Sequence, residues 1–420
     1  MWSFAAAALL ARPALADGAF PDELSVYLPP GNANDILLGT NFGLVMSHDA
    51  GQSWRYVCEL YITRDANDIV NYYKIASEKI GQETAPAIVA ISLIRFMRSA
   101  DGGCTWTPAG GNLTGLYPRD AFIDPNDSSF VLALASDLAL DGIYPSHDGG
   151  ATFAAPAYTT TNTMASIEIA RSNGMIVYAT ELAFTGRDAG KAYLLKSIDR
   201  GATWPTRQLL SVPSGAVVRI AAVDPQDAAK VYLRVFTPST ATDEIRIATD
   251  AGATLSPAVQ VSDPTLFSAF LVANDGTRYA ATTQADLYAA PANQSFSKRV
   301  GPRARCLGER QGTSRIFACG DQFADGYNLG YSDDGATTFQ RMMNFTDIAG
   351  PLECQPQNSF CTPQFEILKG TLGGDGGTPG RPGTTGTGGS HCSSVGASGL
   401  VSLLVVLAYA IGRKRTRGIS

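Results

Sequence analysis

The sequence predicts an all-β fold, a seven-bladed β-propeller of four-stranded antiparallel blades, and three observations point to it. One short pattern, Ser-x-Asp-x-Gly-x-Ser/Thr-aromatic, recurs through most of the chain. Its copies stand about one blade length apart. The 43 Gly and 23 Pro punctuate short apolar runs, which is turn chemistry between strands rather than the habit of long helices. The 420 residues suffice for one large domain, and 45% hydrophobic against 17% charged residues supply a core.

Four copies are complete: Ser47-His-Asp49-Ala-Gly51-Gln-Ser53-Trp54, Ser99-Ala-Asp101-Gly-Gly103-Cys-Thr105-Trp106, Ser146-His-Asp148-Gly-Gly150-Ala-Thr152-Phe153 and Ser197-Ile-Asp199-Arg-Gly201-Ala-Thr203-Trp204. Two are degenerate. One keeps Asp250, Gly252 and Thr254 but loses the Ser and the aromatic; the other has Ser332, Asp334, Thr338 and Phe339 with its Gly shifted by one place. From Asp49 to Asp250 the aspartates are 52, 47, 51 and 51 residues apart. The next gap, 84 residues to Asp334, is too long for one unit. Leu287–Phe296 lies near its middle and keeps a hydroxyl, Ser295, and an aromatic, Phe296. Seven units then average 47.5 residues, the period of a propeller with one four-stranded sheet per blade.

The pattern suits a tight turn between two strands. The Asp carboxylate accepts from turn N–H groups, the Ser hydroxyl ties the turn, the Gly takes a positive φ, and the aromatic packs on the blade. It resembles the Asp box of sialidases, xyloglucan-cleaving hydrolases, sortilin-type receptors and many non-enzymatic propellers, over roughly residues 20–370. A second repeat, Asp124-Pro-Asn-Asp127 and Asp224-Pro-Gln-Asp227, reads as an Asx-Pro turn launching a strand. Ala87–Ile91 and Arg95–Arg98 fall where the second blade needs strands. Phe365–Leu368 is expected to be a strand that pairs with Leu24–Tyr27 and closes the ring.

Both ends carry address labels. Phe4–Leu10 is apolar and Ala14-Leu15-Ala16 precedes Asp17, so residues 1–16 read as a signal peptide and 17–370 as the propeller. Residues 371–391 are a Gly/Thr/Pro-rich linker. Residues 392–420 hold Cys392, an apolar run to Gly412, and Arg413, Lys414, Arg415 and Arg417. This layout resembles C-terminal sorting signals of bacterial surface proteins, especially the myxobacterial type. That resemblance implies a removed or transient helix and Cys392 as the attachment point; a permanent single-span anchor is the plain alternative. Both place the body outside the cytoplasm, in the cell envelope or at its outer surface.

Six further cysteines lie in the body, an even number suited to an oxidising compartment. Cys306 and Cys319 flank a hairpin, Cys354 and Cys361 close a short loop, and Cys58 with Cys104 pair by elimination.

Net charge is −6 with no basic stripe outside the extreme C-terminus, which argues against nucleic acid. Periodicity filters the remaining side chains, because a residue repeated in every blade is scaffold and a catalytic group should appear once. The turn aspartates, Asp124/Asp127 and Asp224/Asp227 are therefore structural, and His48 and His147 sit at an exposed turn position. The sialidase resemblance would imply an arginine before the first repeat, yet no Arg or Lys occurs between Asp17 and Trp54. A xyloglucanase would need aromatics for sugar stacking. Three of the four Trp occupy repeat positions, leaving Tyr72, Tyr73 and Tyr158. The non-periodic charges Glu78, Glu181, Arg187, Asp188, Asp243, Glu244 and Arg246 are where a ligand site is sought, with a solvated rim as the plain alternative. Phosphate loops, a nucleophile elbow and zinc-ligand spacing are absent, so no catalytic residue, cofactor or metal is assigned. The expectation is a monomeric, surface-displayed module that binds a protein or carbohydrate ligand and meets the membrane through its tail. The alternative is a glycoside hydrolase of sialidase or xyloglucanase type.

Overall fold

A computed structural model describes residues 23–372. Seven four-stranded antiparallel sheets form the seven blades. Blade 1 is Glu23–Tyr27, Ile36–Thr40, Gly43–Ser47 and Trp54–Cys58; blade 2 is Val70–Ile75, Ile88–Ser92, Phe96–Ser99 and Thr107–Pro108. Blade 3 is Tyr117–Asp124, Asp127–Ser136, Asp141–Ser146 and Tyr158–Thr160; blade 4 is Thr163–Ile169, Val177–Leu182, Ala192–Ser197 and Thr206–Leu209. Blade 5 is Val217–Val223, Val231–Thr237, Thr242–Thr249 and Thr254–Ser262; blade 6 is Phe267–Val272, Arg278–Thr282, Asp286–Ala290 and Ser297–Val300. Blade 7 is Cys306–Glu309, Ile316–Cys319, Leu329–Ser332 and Gln340–Met343.

Each blade starts at its inner strand and zigzags outwards, so its connections alternate between two faces. The repeat turns join third to fourth strands and define a turn face. The connections between second and third strands define the opposite loop face. The unit at Leu287–Phe296 is the outer turn of blade 6, and the strands expected for blade 2 are in place.

No blade has a core of its own; the core lies between neighbours. Leu132 and Ile143 of blade 3 pack with Ile167 and Leu195 of blade 4, and Leu194 of blade 4 packs with Val218 and Leu233 of blade 5. Glycine is required where a turn approaches the preceding blade. At Gly201 (φ +84°) a Cβ would meet Leu132 Cδ1 at 2.9 Å.

The closure differs from expectation. Phe365–Leu368 is not a strand. Glu59–Thr63 forms a short first helix, α1, and Phe365–Leu368 lies within a second, α2, Gln357–Leu372. Cys361, Phe365, Leu368 and Leu372 are buried while Ile367 is 68% exposed, so a helical stripe overrides the local strand propensity. The inner strand of blade 1 instead packs on that of blade 7. There Gly308 lies so near Val26 that a Cβ would meet Cγ1 at 2.9 Å. The strand Ile348–Pro351 adds parallel to the outer edge of blade 1, and α2 covers that edge.

Two cysteine pairings are also corrected. Cys306 and Cys319 are bonded as register partners in blade 7, but the other bonds are Cys58–Cys361 and Cys104–Cys354. α2 carries Cys361 back to the end of blade 1, a contact that chain proximity cannot reveal. α2 runs through Leu372, two residues into the segment read as linker. The signal peptide, the tail and Cys392 lie outside the described residues. Among the described residues no helix is long and apolar enough to cross a membrane.

Candidate functional site

The repeat turns are internally complete. Asp148 Oδ1 accepts from Ser146 Oγ at 2.7 Å and from Thr152 N at 2.8 Å, while Oδ2 accepts from Thr152 Oγ1 at 2.6 Å. Asp49, Asp101, Asp199 and Asp334 repeat this bonding. The indoles of Trp54, Trp106 and Trp204 donate to the carbonyls of Gly51, Gly103 and Gly201. Phe153 is buried against Phe96 of the preceding blade, and Phe339 packs at the junction of blades 6 and 7. Hydrogen bonds from Ser53 and Ser47 pull the Asp49 carboxyl down to about 2. The Asp250 turn, which has lost its Ser, holds a 3.4 Å side-chain contact from Thr254 Oγ1 and a backbone bond from Ala253 N at 3.1 Å, and Gly252 packs against Leu194.

His48 and His147 sit beside these turns. His48 Nδ1 meets Asp35 at 2.8 Å, which raises its pKa, and His147 packs on the Phe130 ring. The Asx-Pro turns bond as expected: Asn126 N donates to Asp124 and Gln226 N to Asp224. Arg200 of the next turn grips Asp124 and Asp127 at 2.6 and 2.8 Å.

Most non-periodic charges prove to be braces. Glu181 is fully buried and accepts from both ends of the Arg207 fork at 3.0 Å, Tyr158 Oη at 3.0 Å, Thr160 Oγ1 at 2.9 Å and Asn162 Nδ2. Burial pushes its pKa up, but Arg207 and Asn162 outweigh that and hold it below the ordinary glutamate value. Asp243, equally buried, is held by Arg234 and accepts from Phe267 N at 2.9 Å. Glu244 pairs with Arg246 and Asp188 with Lys191. Arg187 is exposed, as is Glu78, whose N–H donates to Ser128 Oγ. Glu78 borders a polar groove of about 370 Å³ between Ser77–Gly81 and Pro125–Ser129.

Of the residues that line the central channel, sequence reasoning singled out Tyr72 but not Lys74, Asp120, Glu168 or Arg219. Alternate residues of the inner strands face it: Tyr27, Tyr72 and Lys74, Asp120 and Phe122, Ser166 and Glu168, and Arg219. A register shift just before Tyr72, Asp120 and Ser166 re-aims each of them. Side chains of one blade also bond to the next: Tyr73 N donates to Tyr27 Oη, Ile167 N to Asp120, Ile220 N to Ser166 Oγ and Val223 N to Glu168. Lys74 Nζ stands 3.9 Å from Asp120, and Arg219 reaches from blade 5 across to Tyr72 of blade 2, with Cζ 5.8 Å from the ring centroid. Burial pushes the Glu168 carboxyl up to about 7. The signal available in sequence was polar residues two apart in strands whose other positions are apolar.

The turn-face end of the channel is crossed by hydrogen bonds. Arg171 of blade 4 donates to Asn274 of blade 6, which receives Gln226 of blade 5 on its carbonyl and donates its own N–H to Glu309 of blade 7. A cavity of about 80 Å³ remains among Leu28, Arg171, Leu271 and Glu309, far below the size of a small-molecule pocket.

The loop face is different in kind. Ile69 and Ile94 of blade 2, Tyr117, Leu138 and Leu140 of blade 3, and Phe184 of blade 4 are 37–46% exposed on that face. The backbone sets them side by side: Leu93 N donates to Ile69 O, Tyr117 pairs with Ser136, and Asp137 N donates to Leu140 O. Leu138 sits at φ 75°, a costly conformation for a branched side chain, at the tip of its connection. Among the described residues no three His, Cys, Asp or Glu side chains are grouped to hold a metal ion.

Fold and site together define a β-propeller with a braced scaffold, a charged channel and an apolar loop face. Its likenesses are structural. A chain of Kuenenia stuttgartiensis hydrazine synthase matches with 10% identity and TM-score 0.55, covering 76% of this chain and 97% of that one. PorZ, described as an essential bacterial surface component of the type-IX secretion system of Porphyromonas gingivalis, matches with 10% identity and TM-score 0.51. That match covers 77% of this chain and 38% of PorZ. A prolyl endopeptidase matches with 13% identity and TM-score 0.52, over 77% of this chain and 49% of that one. No protein-family model matches the chain, and no curated protein matches it by sequence. The shared feature is the propeller, a fold that carries many functions.

Proposed function

We propose that this chain is an exported, non-catalytic binding module of the Asp-box type, anchored at the cell surface, which takes a protein or glycan ligand on its loop face. The observation that carries the reading is the apolar arc on blades 2, 3 and 4, with Leu138 displayed at a strained tip. The protein ligand is favoured over the glycan, because the exposed groups are mostly aliphatic rather than aromatic. The three disulfides support a location outside the cytoplasm. Glu181 and Asp243, the buried non-periodic acids, are consumed by Arg207 and Arg234. The test incubates the oxidised chain with sialylated and β-glucan substrates and with cell-envelope protein, measuring released sugar and retained ligand together. Retention without release, lost in Leu138→Asp/Phe184→Asp, is expected. Sugar release abolished by changing one non-repeat Asp or Glu would overturn the reading in favour of a glycoside hydrolase.

A further inference from the structure

Charges enclosed by a fold are usually paired, because a buried charge left without its partner is strongly destabilising. Glu181, Asp243 and Asp124 obey this rule through Arg207, Arg234 and Arg200. Arg219 does not. Its guanidinium lies inside the channel, its polar partner is the Tyr72 hydroxyl, and among the described residues no carboxylate oxygen lies within 4 Å of it. Tyr72 of blade 2 and Asp120 of blade 3 face it, and Lys74 of blade 2 shares Asp120 with it while also meeting Tyr27 of blade 1 and Glu168 of blade 4. Lys74 is itself only loosely held, 3.9 Å from Asp120. Asp120 is buried, whereas Tyr27, Tyr72, Lys74, Glu168 and Arg219 are half-buried, so water reaches them.

We propose that the channel holds a binding site for a small monocarboxylate, gripped by the Arg219 fork and Lys74.

The donor geometry selects the group. A planar guanidinium meets a carboxylate through two parallel hydrogen bonds, and among the described residues the Arg219 fork engages only the Tyr72 hydroxyl. The charge balance selects its valence. Lys74 and Arg219 bring two positive charges and Asp120 one negative, so one further negative charge makes the set neutral. A dianion would overshoot and would also face Asp120. Glu168, whose enclosure pushes it up to about 7, is uncharged below that pH and leaves the balance intact. Above it, Glu168 ionises and competes for Lys74, with Arg171 of its own blade as its other cationic neighbour, so binding weakens as pH rises. The site is separate from the loop face and does not depend on the reading given there.

The probe is trifluoroacetate, followed by fluorine NMR with the full-length oxidised chain, with acetate and sulfate as competitors. Saturable binding displaced by acetate is expected, weakened about tenfold or more in Arg219→Gln. Raising the pH through 7 should weaken binding in the wild type but not in Glu168→Gln. Should Arg219→Gln fail to melt cooperatively, Lys74→Gln replaces it with the same expected direction, and exposed Arg187→Gln is the unaffected control. Non-saturable binding, binding unchanged in a folded Arg219→Gln or Lys74→Gln, or sulfate displacing the probe better than acetate would each overturn the site.

Discussion

Glu181 offers the sharpest test of whether the non-periodic acids are braces or ligand groups. Removing it by Glu181→Ala leaves Arg207 without a counter-ion and strips acceptors from Tyr158, Thr160 and Asn162. Breaking a buried pair costs about 3–5 kcal/mol, and because Arg207 is 36% exposed and can recover some water, the lower end applies. Unfolding entropy of about 2.1 cal/mol/K per residue, over a propeller of this size, turns about 3 kcal/mol into a fall of roughly 4 °C in Tm. Glu181→Gln keeps the shape and should lose about half as much. The sign of the pH dependence is set by the depressed carboxyl. Its stabilisation is present above the unfolded glutamate pKa and is lost as pH falls through the lower folded value. The gap between wild type and Glu181→Gln should therefore be full at pH 7 and should shrink below the ordinary glutamate pKa of 4.5. Differential scanning calorimetry across pH 3–7 reads both quantities. A variant as stable as the wild type, yet defective in ligand retention, would refute the brace and return Glu181 to the ligand site.

Other outcomes follow from the same structure. Non-reducing peptide mapping should recover Cys58–Cys361 and Cys104–Cys354, and Cys361→Ser should cost about 2–5 kcal/mol in denaturant titration. Glu59 and Glu168 both have carboxyls raised from 4.5 to about 7 by burial, so their stabilisation is complete below the unfolded pKa and fades as pH rises through about 7. Urea midpoints should consequently fall between pH 5 and 8 by the equivalent of up to about 3 kcal/mol per group, and Glu168→Gln should remove its share. Among the repeat turns, Asp148→Ala should cost about 1–3 kcal/mol in urea titration. Asp250→Ala should stay within about 0.5 kcal/mol, since that turn has already lost most of its hydrogen bonds.

The architecture was legible because it is periodic. Asp49, Asp101, Asp148 and Asp199 mark a local turn whose hydrogen bonds close within five residues, so sequence alone contains the whole interaction. The Cys306–Cys319 bond was legible for the same reason, joining neighbours in one hairpin. What the sequence hid is what depends on closing the ring. Cys58 meets Cys361 only after the chain has gone round the propeller, and Phe365 reads as a strand residue until blade 1 supplies the edge on which a helix can lie. The charged channel was hidden in the same way. Lys74, Asp120, Glu168 and Arg219 are scattered over 146 residues and come together because each occupies an inward position of an inner strand. Glu181 and Asp243 could be singled out as non-periodic, but their arginine partners, Arg207 and Arg234, carry no mark in sequence.

The bond between Cys58 and Cys361 has a topological effect beyond stability. With a sequence separation of 303 residues, it places almost the entire wheel of blades inside one covalent loop. A protease that nicks any exposed turn between those two cysteines produces two fragments that remain tied, each still packed on its neighbours at both sides of the cut. Such a particle can be cleaved without being dismantled, and for any cut between Cys104 and Cys354 the second long-range bond ties the halves as well.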